Sequence, residues 1–395
     1  MLDRSKIWTG DLNARAVDTS PFQKAGPVGL YDTTLRDGEQ TVGVVLGPET
    51  KLEIARALDE LGVDRIEAGF PMVSVDDAKA YELILEAGLS AEIWGFSRAL
   101  PGDVDQLVSL GVRHAVIESP VSDGKLAAYG MSREKVTDRI RSAVSYASSE
   151  GITVCFFGVD GTRADPDFLA EVYAAAIDAG AKELAVVDTL GIASPEAAAF
   201  LVRTSRESVG DDVPIHWHGH NDFGLATACA LEAVRAGATW IQGTINGMGE
   251  RAGNTNLGEF ALALEALYHG ATNLRFEKLN ETAKLVQRLS GYDLEPWKPV
   301  TGENLFRRES GAVASQFHDP PAIEPYSSEL VKAQRAIVLG KKSGLDSIKI
   351  KLDEMGLEVP EDRQPDLLTA VKELGSAEQR LVSDEEFREL VANLT

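Results

Sequence analysis

Cysteine is scarce: two in 395 residues, Cys155 and Cys229. That excludes a disulfide framework and a cysteine-rich zinc site. Both sit among apolar neighbours, so buried free thiols in a reducing, cytoplasmic setting are expected. Long apolar runs are also missing, and none reaches the roughly 18 residues of a membrane span. Met1 to Thr9 is polar, so no secretory signal is expected. Basic residues are in deficit, with 39 Lys and Arg against 62 Asp and Glu, a net charge of −23. This disfavours nucleic acid and anionic membranes as partners. It leaves room for a local basic pocket that takes a small anion. Against these absences, 44% of the residues are hydrophobic and 26% charged. Such a chain can bury a core, and disorder as its main state is excluded. The length predicts two domains, or one α/β barrel of about 250 residues with a smaller companion.

From residue 28 the sequence falls into a strand–helix rhythm. Short runs rich in β-branched and aromatic residues predict strands at 28–31, 65–68, 92–96, 115–118, 153–157, 183–187, 214–217 and 239–242. Helical patterns lie between them. In 49–61, for example, Leu52, Ala55, Leu58 and Leu61 recur at helix spacing. Glycines just past the helices, as in "LVSLGVRHAVIE" and "AIDAGAKELAVV", suit the left-handed conformation that ends a helix. Parallel strands need crossover helices, and eight such units predict a (β/α)8 TIM barrel over 28–272. The rival is an open doubly wound sheet with a glycine-rich phosphate loop after strand one. Here that segment reads "DTTLRDGEQ". Beyond 272 the rhythm stops. Residues 273–395 predict a small, mostly helical C-terminal region with helices over 276–290 and 364–374. Residues 1–27 are expected to form an N-terminal arm that packs on a partner chain.

In such a barrel the chemistry lies at the C-terminal strand ends. Asp32, Arg36, Asp37 and Gln40 follow strand one, Glu67 strand two, Arg98 strand three and Glu118 strand four. Asp160 and Arg163 follow strand five, with Asp188 and Thr189 after strand six. Strand seven runs into "HWHGHND", which holds three of the six histidines: His216, His218 and His220. Alternate residues on an extended segment face one side, so two imidazoles spaced i, i+2 at a strand end can meet one cation. Asp37, Asp32 and Asn254 are the candidate oxygen ligands. Two imidazoles, a carboxylate and waters suit Zn²⁺, Mn²⁺, Co²⁺ or Fe²⁺, and Mg²⁺ less well. Arg36, beside such an ion, is placed to stabilise enolate charge. Phe70, Trp94 and Phe96 are candidate apolar pocket residues or barrel core.

"DTTLRDGEQTVGVVL", "LGVDRIEAGFP", "VDTLGIASP", "HGHNDFGLATACALEAVRAGATWIQGTINGMGERAGNTNLGEF" and "LGKKSG" together resemble the DRE-TIM metallolyase family. Within it they are most similar to the acyl-CoA condensing branch of isopropylmalate, homocitrate and citramalate synthases, over about residues 29–345. The resemblance implies one divalent metal ion held by Asp37, His218 and His220, with Asn254 near it. It implies that Arg36 holds the ketone and enolate oxygens, and that Arg163 and Thr189 contact the carboxylate of a 2-oxo acid. Glu67 and Gln40 would shape the pocket. The implied reaction is attack of an acetyl-CoA enolate on the ketone, then thioester hydrolysis, in a cytoplasmic homodimer.

Three positions depart from the family pattern. Val159 stands where a Glu is expected, Val313 where a His is expected in "ESGAV", and Lys342 where a His is expected in "GKKSG". The first two remove groups assigned to proton transfer. His318, five residues past Val313, and Lys342 are the candidate substitutes. His318 is preferred, because an imidazole suits a base at neutral pH. The tail is too short for a leucine-sensing domain, so feedback control through one is not expected. Two other activities remain open at this stage. One is a metal-dependent lyase or aldolase acting on a hydroxy-acyl-CoA or a 4-hydroxy-2-oxo acid. The other is a non-catalytic descendant that binds a carboxylate.

Overall fold

The computed structural model describes residues 2–23 and 26–394. Met1, Lys24 and Ala25 of the predicted arm and Thr395 of the predicted C-terminal region lie outside the described residues. Eight parallel strands close into a barrel in chain order. They are β1 (Gly29–Asp32), β2 (Arg65–Glu67), β3 (Glu92–Arg98), β4 (His114–Pro120), β5 (Thr153–Val159), β6 (Glu183–Asp188), β7 (Ile215–Gly219) and β8 (Trp240–Gly243). Closure is explicit in the register, where Tyr31 on β1 pairs with Arg65 on β2 and with Gln242 on β8. This excludes the open sheet. Each predicted strand is present. β3 and β5 run two residues further than their apolar runs, β3 through the polar Ser97 and Arg98 and β5 through Gly158 and Val159.

The crossover helices begin and end where local chemistry dictates. Ser74, Asp165 and Ser194 accept from the N–H three residues on, and Pro48, Pro101, Pro166 and Pro195 open the first turns. Each fills a position where a helix lacks an intrahelical partner. Gly62 ends the helix Pro48–Leu61 at φ 87°, a conformation that glycine adopts without a Cβ clash. That helix turns Ile54, Ala55, Leu58 and Leu61 inward. The barrel interior is filled by Tyr31, Trp94, Phe96, Val116, Cys155, Phe157, Ala185 and Val187. Trp94 is therefore core and does not line a pocket. Both cysteines are buried and free.

The chain divides into two compact units. The first is the barrel with Asp11–Leu294. It keeps the helix Phe276–Ser290, which lies past the expected barrel limit at 272. Arg275 N donates to Leu61 O, and Lys278 and Arg288 pair with Glu60 and Glu53 of the helix Pro48–Leu61. The second unit runs from Glu295 onward and includes Asp3–Gly10. Its core gathers Ile337, Leu339, Ile348, Leu367, Val371 and Phe387 beneath the helices Leu345–Met355, Gln364–Ala377 and Asp384–Ala392. The arm finds contacts within its own chain. Ile7 bridges Tyr326, Trp8 N donates to Pro325 O, and Ser327 N donates to Lys6 O. Phe22, further along the arm, packs on Tyr268 of the first unit.

Gly29 tests the packing of the barrel floor. A Cβ there would run into the Trp240 indole, which has no room to retreat because Arg65 lies 3.6 Å over its ring. Gly29→Ala is expected to cost about 1–3 kcal/mol, the usual penalty of overpacking. Thermal unfolding reads this directly, and an unchanged midpoint would mean that the floor is loosely packed.

Candidate active site

The mouth of the barrel is organised by the tight turn after β1. Arg36 N and Gly38 N both donate to Thr33 O, at 3.1 and 3.0 Å. The turn folds Arg36 and Asp37 back over the strand ends, where both are buried. Closure brings β7 to the same place from far along the chain. Asp37 Oδ2 lies 3.1 Å from Arg36 Nη1, 3.3 Å from His218 Nε2 and 3.6 Å from His220 Nε2. Asp37, His218 and His220 each offer a ligand atom within 4.8 Å of the others. Asn254 joins them through a backbone bridge to His220. Its Nδ2 donates to Met248 O. The glycine-rich loop is needed for this approach. At Gly249, φ 149°, an added Cβ would press on the Asn254 amide and lie 3.3 Å from Asp37 Oδ1.

Burial alone would push the Asp37 carboxyl up. Arg36, His218 and His220 outweigh it and hold the carboxyl well below the usual carboxylate range. Burial pushes His220 down to about 4 despite Asp37, so its ring is neutral at pH 7 and keeps a lone pair. Asp37 Oδ1, His220 Nδ1, Asn254 Oδ1 and Arg36 Nη2 are buried with no hydrogen-bond partner among the described residues. Such orphans are costly, and four on residues of one buried cluster mark a place built for a ligand. A carboxylate and two imidazoles with a carboxamide oxygen beside them fit a divalent metal ion.

Two expectations are corrected. Asp32 is not part of this set, because its carboxylate accepts from Thr34 N at 2.8 Å and Thr34 Oγ1 at 3.1 Å. Burial pushes it up to about 7 against those bonds, so it is a poor ligand. His216 faces inward like the other two histidines but one layer deeper, and its Nε2 lies 2.6 Å from Glu183 Oε2.

The remaining predicted residues are distributed around the mouth. Glu67, wholly buried, accepts from Arg36 Nε and from Tyr31 OH, so it anchors Arg36. Arg36 also lies 4.3 Å over the Phe96 ring. Gln40 is exposed and lines a cleft of about 400 Å³ with Arg36 and Phe70. Arg163 is bound to Asp160, whose N–H donates to Thr189 Oγ1 at 2.7 Å. His318 belongs to the second unit, exposed and edge-on to Phe317. Val159 sits half-buried at the end of β5 and, with Glu118, Arg98 and Tyr129, lines a recess of about 240 Å³. Glu118 was named in the sequence as a strand-end acid but was given no role. Burial pushes its carboxyl up, against Arg36 and Arg98. A strand-end carboxylate beside the position of a missing Glu was the available signal.

The family model described as HMGL-like matches residues 27–286. The chain belongs to the HMGL-like family. A homocitrate synthase from Methanopyrus kandleri is 44% identical over 367 residues, 92% of each chain. A protein from the same organism provisionally named (R)-citramalate synthase is 44% identical over 90% of this chain and 70% of its own length. A 2-isopropylmalate synthase from Methanocaldococcus jannaschii is 41% identical over 92% of this chain and 71% of its own. Among solved structures, a Bacillus subtilis HMG-CoA lyase superposes with TM-score 0.62 over 70% of this chain and 97% of its own. At 19% identity, that match speaks for the fold alone. Among the described residues, no helix of this HMGL-like protein is long and apolar enough to cross a membrane.

The ligand set makes a direct prediction. Metal analysis of the purified protein is expected to find close to one divalent ion per chain, and Asp37→Ala and His218→Ala are expected to lose it. Full metal content in both variants would remove these residues from the ligand set.

Proposed function

We propose that the protein condenses acetyl-CoA with a 2-oxo acid, forming a carbon–carbon bond at the ketone and releasing free CoA on thioester hydrolysis. The buried Arg36–Asp37–His218–His220 constellation carries this reading. The synthase names of relatives at 40–45% identity favour condensation over cleavage and over binding alone. A divalent ion bound at Asp37, His218 and His220 supplies Lewis-acid polarisation of a carbonyl.

The residues of the chain supply the rest. Arg36 is fixed by Glu67 through Nε and by Asp37 through Nη1, which leaves Nη2 as a buried donor without a partner. A donor held in a water-poor site stabilises oxygen charge as it develops, with no reorganisation at the moment of reaction. Thr189 and Arg163 orient the acceptor carboxylate in this proposal. Phe70, Phe96 and Phe157 form an aromatic wall beside Arg36. Two further arginines, Arg98 and Arg251, are already paired with Asp103 and Asp222 and leave no spare cation for a second carboxylate. This combination favours a 2-oxo acid with an apolar side chain over one with a second carboxylate. The resemblance supports a homodimer, and the two free thiols support a cytoplasmic enzyme.

Thiol release from acetyl-CoA against a panel of 2-oxo acids, with a metal-stripped control, tests the reaction. Release is expected with apolar acceptors and is expected to vanish on stripping. No release with any acceptor would overturn the proposal. Arg36→Lys keeps the charge but loses the planar fork. It is expected to slow turnover at least ~10²-fold with metal retained, the scale of one lost oxyanion donor. A near wild-type rate would make Arg36 a structural residue.

The proton of the acetyl methyl needs a base. His318 is our candidate, and His318→Ala is expected to lower thiol release by ~10²-fold or more while acceptor and metal still bind. Normal turnover would exclude His318 and transfer the role to Glu118, with Glu118→Gln then carrying the loss.

A further inference from the structure

Beneath the ligand set a second cluster crosses the barrel core. Gln242 on β8 pairs in register with His218 on β7. Its side chain contacts both inward histidines of that strand. Gln242 Oε1 lies 3.1 Å from His218 Nδ1, and Gln242 Nε2 lies 3.1 Å from His216 Nδ1. His216 Nε2 in turn lies 2.6 Å from Glu183 Oε2. Arg65 closes the line by donating to both Glu183 oxygens, at 2.6 and 3.0 Å. The Arg65 guanidinium is wedged between the Trp94 and Trp240 rings, 4.4 and 3.6 Å from their centroids. Gln242, His216, His218, Glu183 and Arg65 are all buried.

Cys155, Glu183 and His216 are close enough together to suggest a second metal site. The bonding leaves nothing free for an ion. Both Glu183 oxygens and both His216 nitrogens are engaged, and burial keeps the Cys155 thiol protonated.

The direction of each hydrogen bond follows from one end of this line. Glu183 is a carboxylate, already neutralised by a bidentate arginine, so it only accepts. His216 Nε2 must therefore be the donor. In a neutral ring Nδ1 is then an acceptor, and only the amide NH₂ of Gln242 can serve it. This turns the Gln242 carbonyl toward His218, whose Nδ1 must carry a proton to donate. A neutral His218 protonated at Nδ1 presents its Nε2 lone pair on the Asp37 side. The opposite amide orientation would set the Gln242 carbonyl against the His216 Nδ1 lone pair, two acceptors face to face.

We infer that Glu183, His216 and Gln242 form a buried relay that locks His218 in the tautomer whose Nε2 is free for the metal. The relay sets the metal affinity of the mouth from a charge pair at the opposite end of the barrel. These are positioning residues, and none of them touches substrate. The inference rests on His218 being a ligand.

Zinc affinity and histidine tautomers test it together. In zinc-loaded protein labelled with ¹⁵N-histidine, His218 is expected to carry its proton on Nδ1 and His216 on Nε2. In chelator competition, Gln242→Met removes both hydrogen bonds at similar volume. It is expected to weaken zinc binding about 10–100-fold, the usual effect of losing the outer partner of a metal-bound histidine. Gln242→Glu keeps an acceptor for His218 Nδ1–H, and zinc affinity at or above wild type is expected. Wild-type affinity in Gln242→Met, or a proton on His216 Nδ1 in the spectrum, would overturn the relay. If Gln242→Met does not fold, the wild-type spectrum decides alone. Failure of the wild-type protein to bind zinc at all would instead overturn the ligand assignment, so the two failures are distinguishable.

Discussion

Arg36 donates from Nε to Glu67 and from Nη1 to Asp37 where almost no solvent reaches. A buried guanidinium is tolerated only when paired, and here one positive charge faces two carboxylates. The neutral His220 ring does not offset the surplus negative charge. A divalent cation among Asp37, His218 and His220 does, so the electrostatics of the mouth and its ligand geometry ask for the same ion. Tyr31 extends the arrangement downward by donating to the second Glu67 oxygen. The Arg36 guanidinium is therefore tied through β2 into the packed interior, and its position is set by the core as well as by the loop that carries it.

Much of the fold was legible in the sequence because the barrel is periodic. Parallel strands buried on both faces read as short apolar runs, and glycines punctuate the helix ends. The compact unit that holds the barrel runs past 272 for a physical reason. The helix Phe276–Ser290 follows a break in the rhythm, yet packs on the helix Pro48–Leu61, a contact that no local pattern encodes. The arm was hidden in the same way. Residues 3–10 have little apolar pattern, and their attachment to Pro325, Tyr326 and Ser327 is largely by backbone hydrogen bonds.

The site shows the same limit. Alternation along β7 put three histidines on one side but said nothing of depth. Depth separates His216, which meets Glu183 across β6, from His218 and His220, which meet Asp37. Glu67 was visible as a strand-end acid, but its role as the anchor of Arg36 depends on the register between β1 and β2. Asp32 looked as good a ligand as Asp37. The difference is two hydrogen bonds from Thr34, which draw one carboxylate into the turn, while the other faces Arg36, His218 and His220.

The seam where β1 meets β8 has a consequence for how the protein is made. Asp37 and His218 are separated by about 180 residues of chain and meet only when the barrel closes. A nascent chain that has not yet released β7 holds one half of the ligand set and cannot capture an ion with it. Metal cannot template the early stages of folding here. An ion held by these residues would act afterwards as a clasp on the finished ring, adding stability to the closed form in proportion to the logarithm of its free concentration. A shortage of metal would leave such a protein folded but easier to open along that seam.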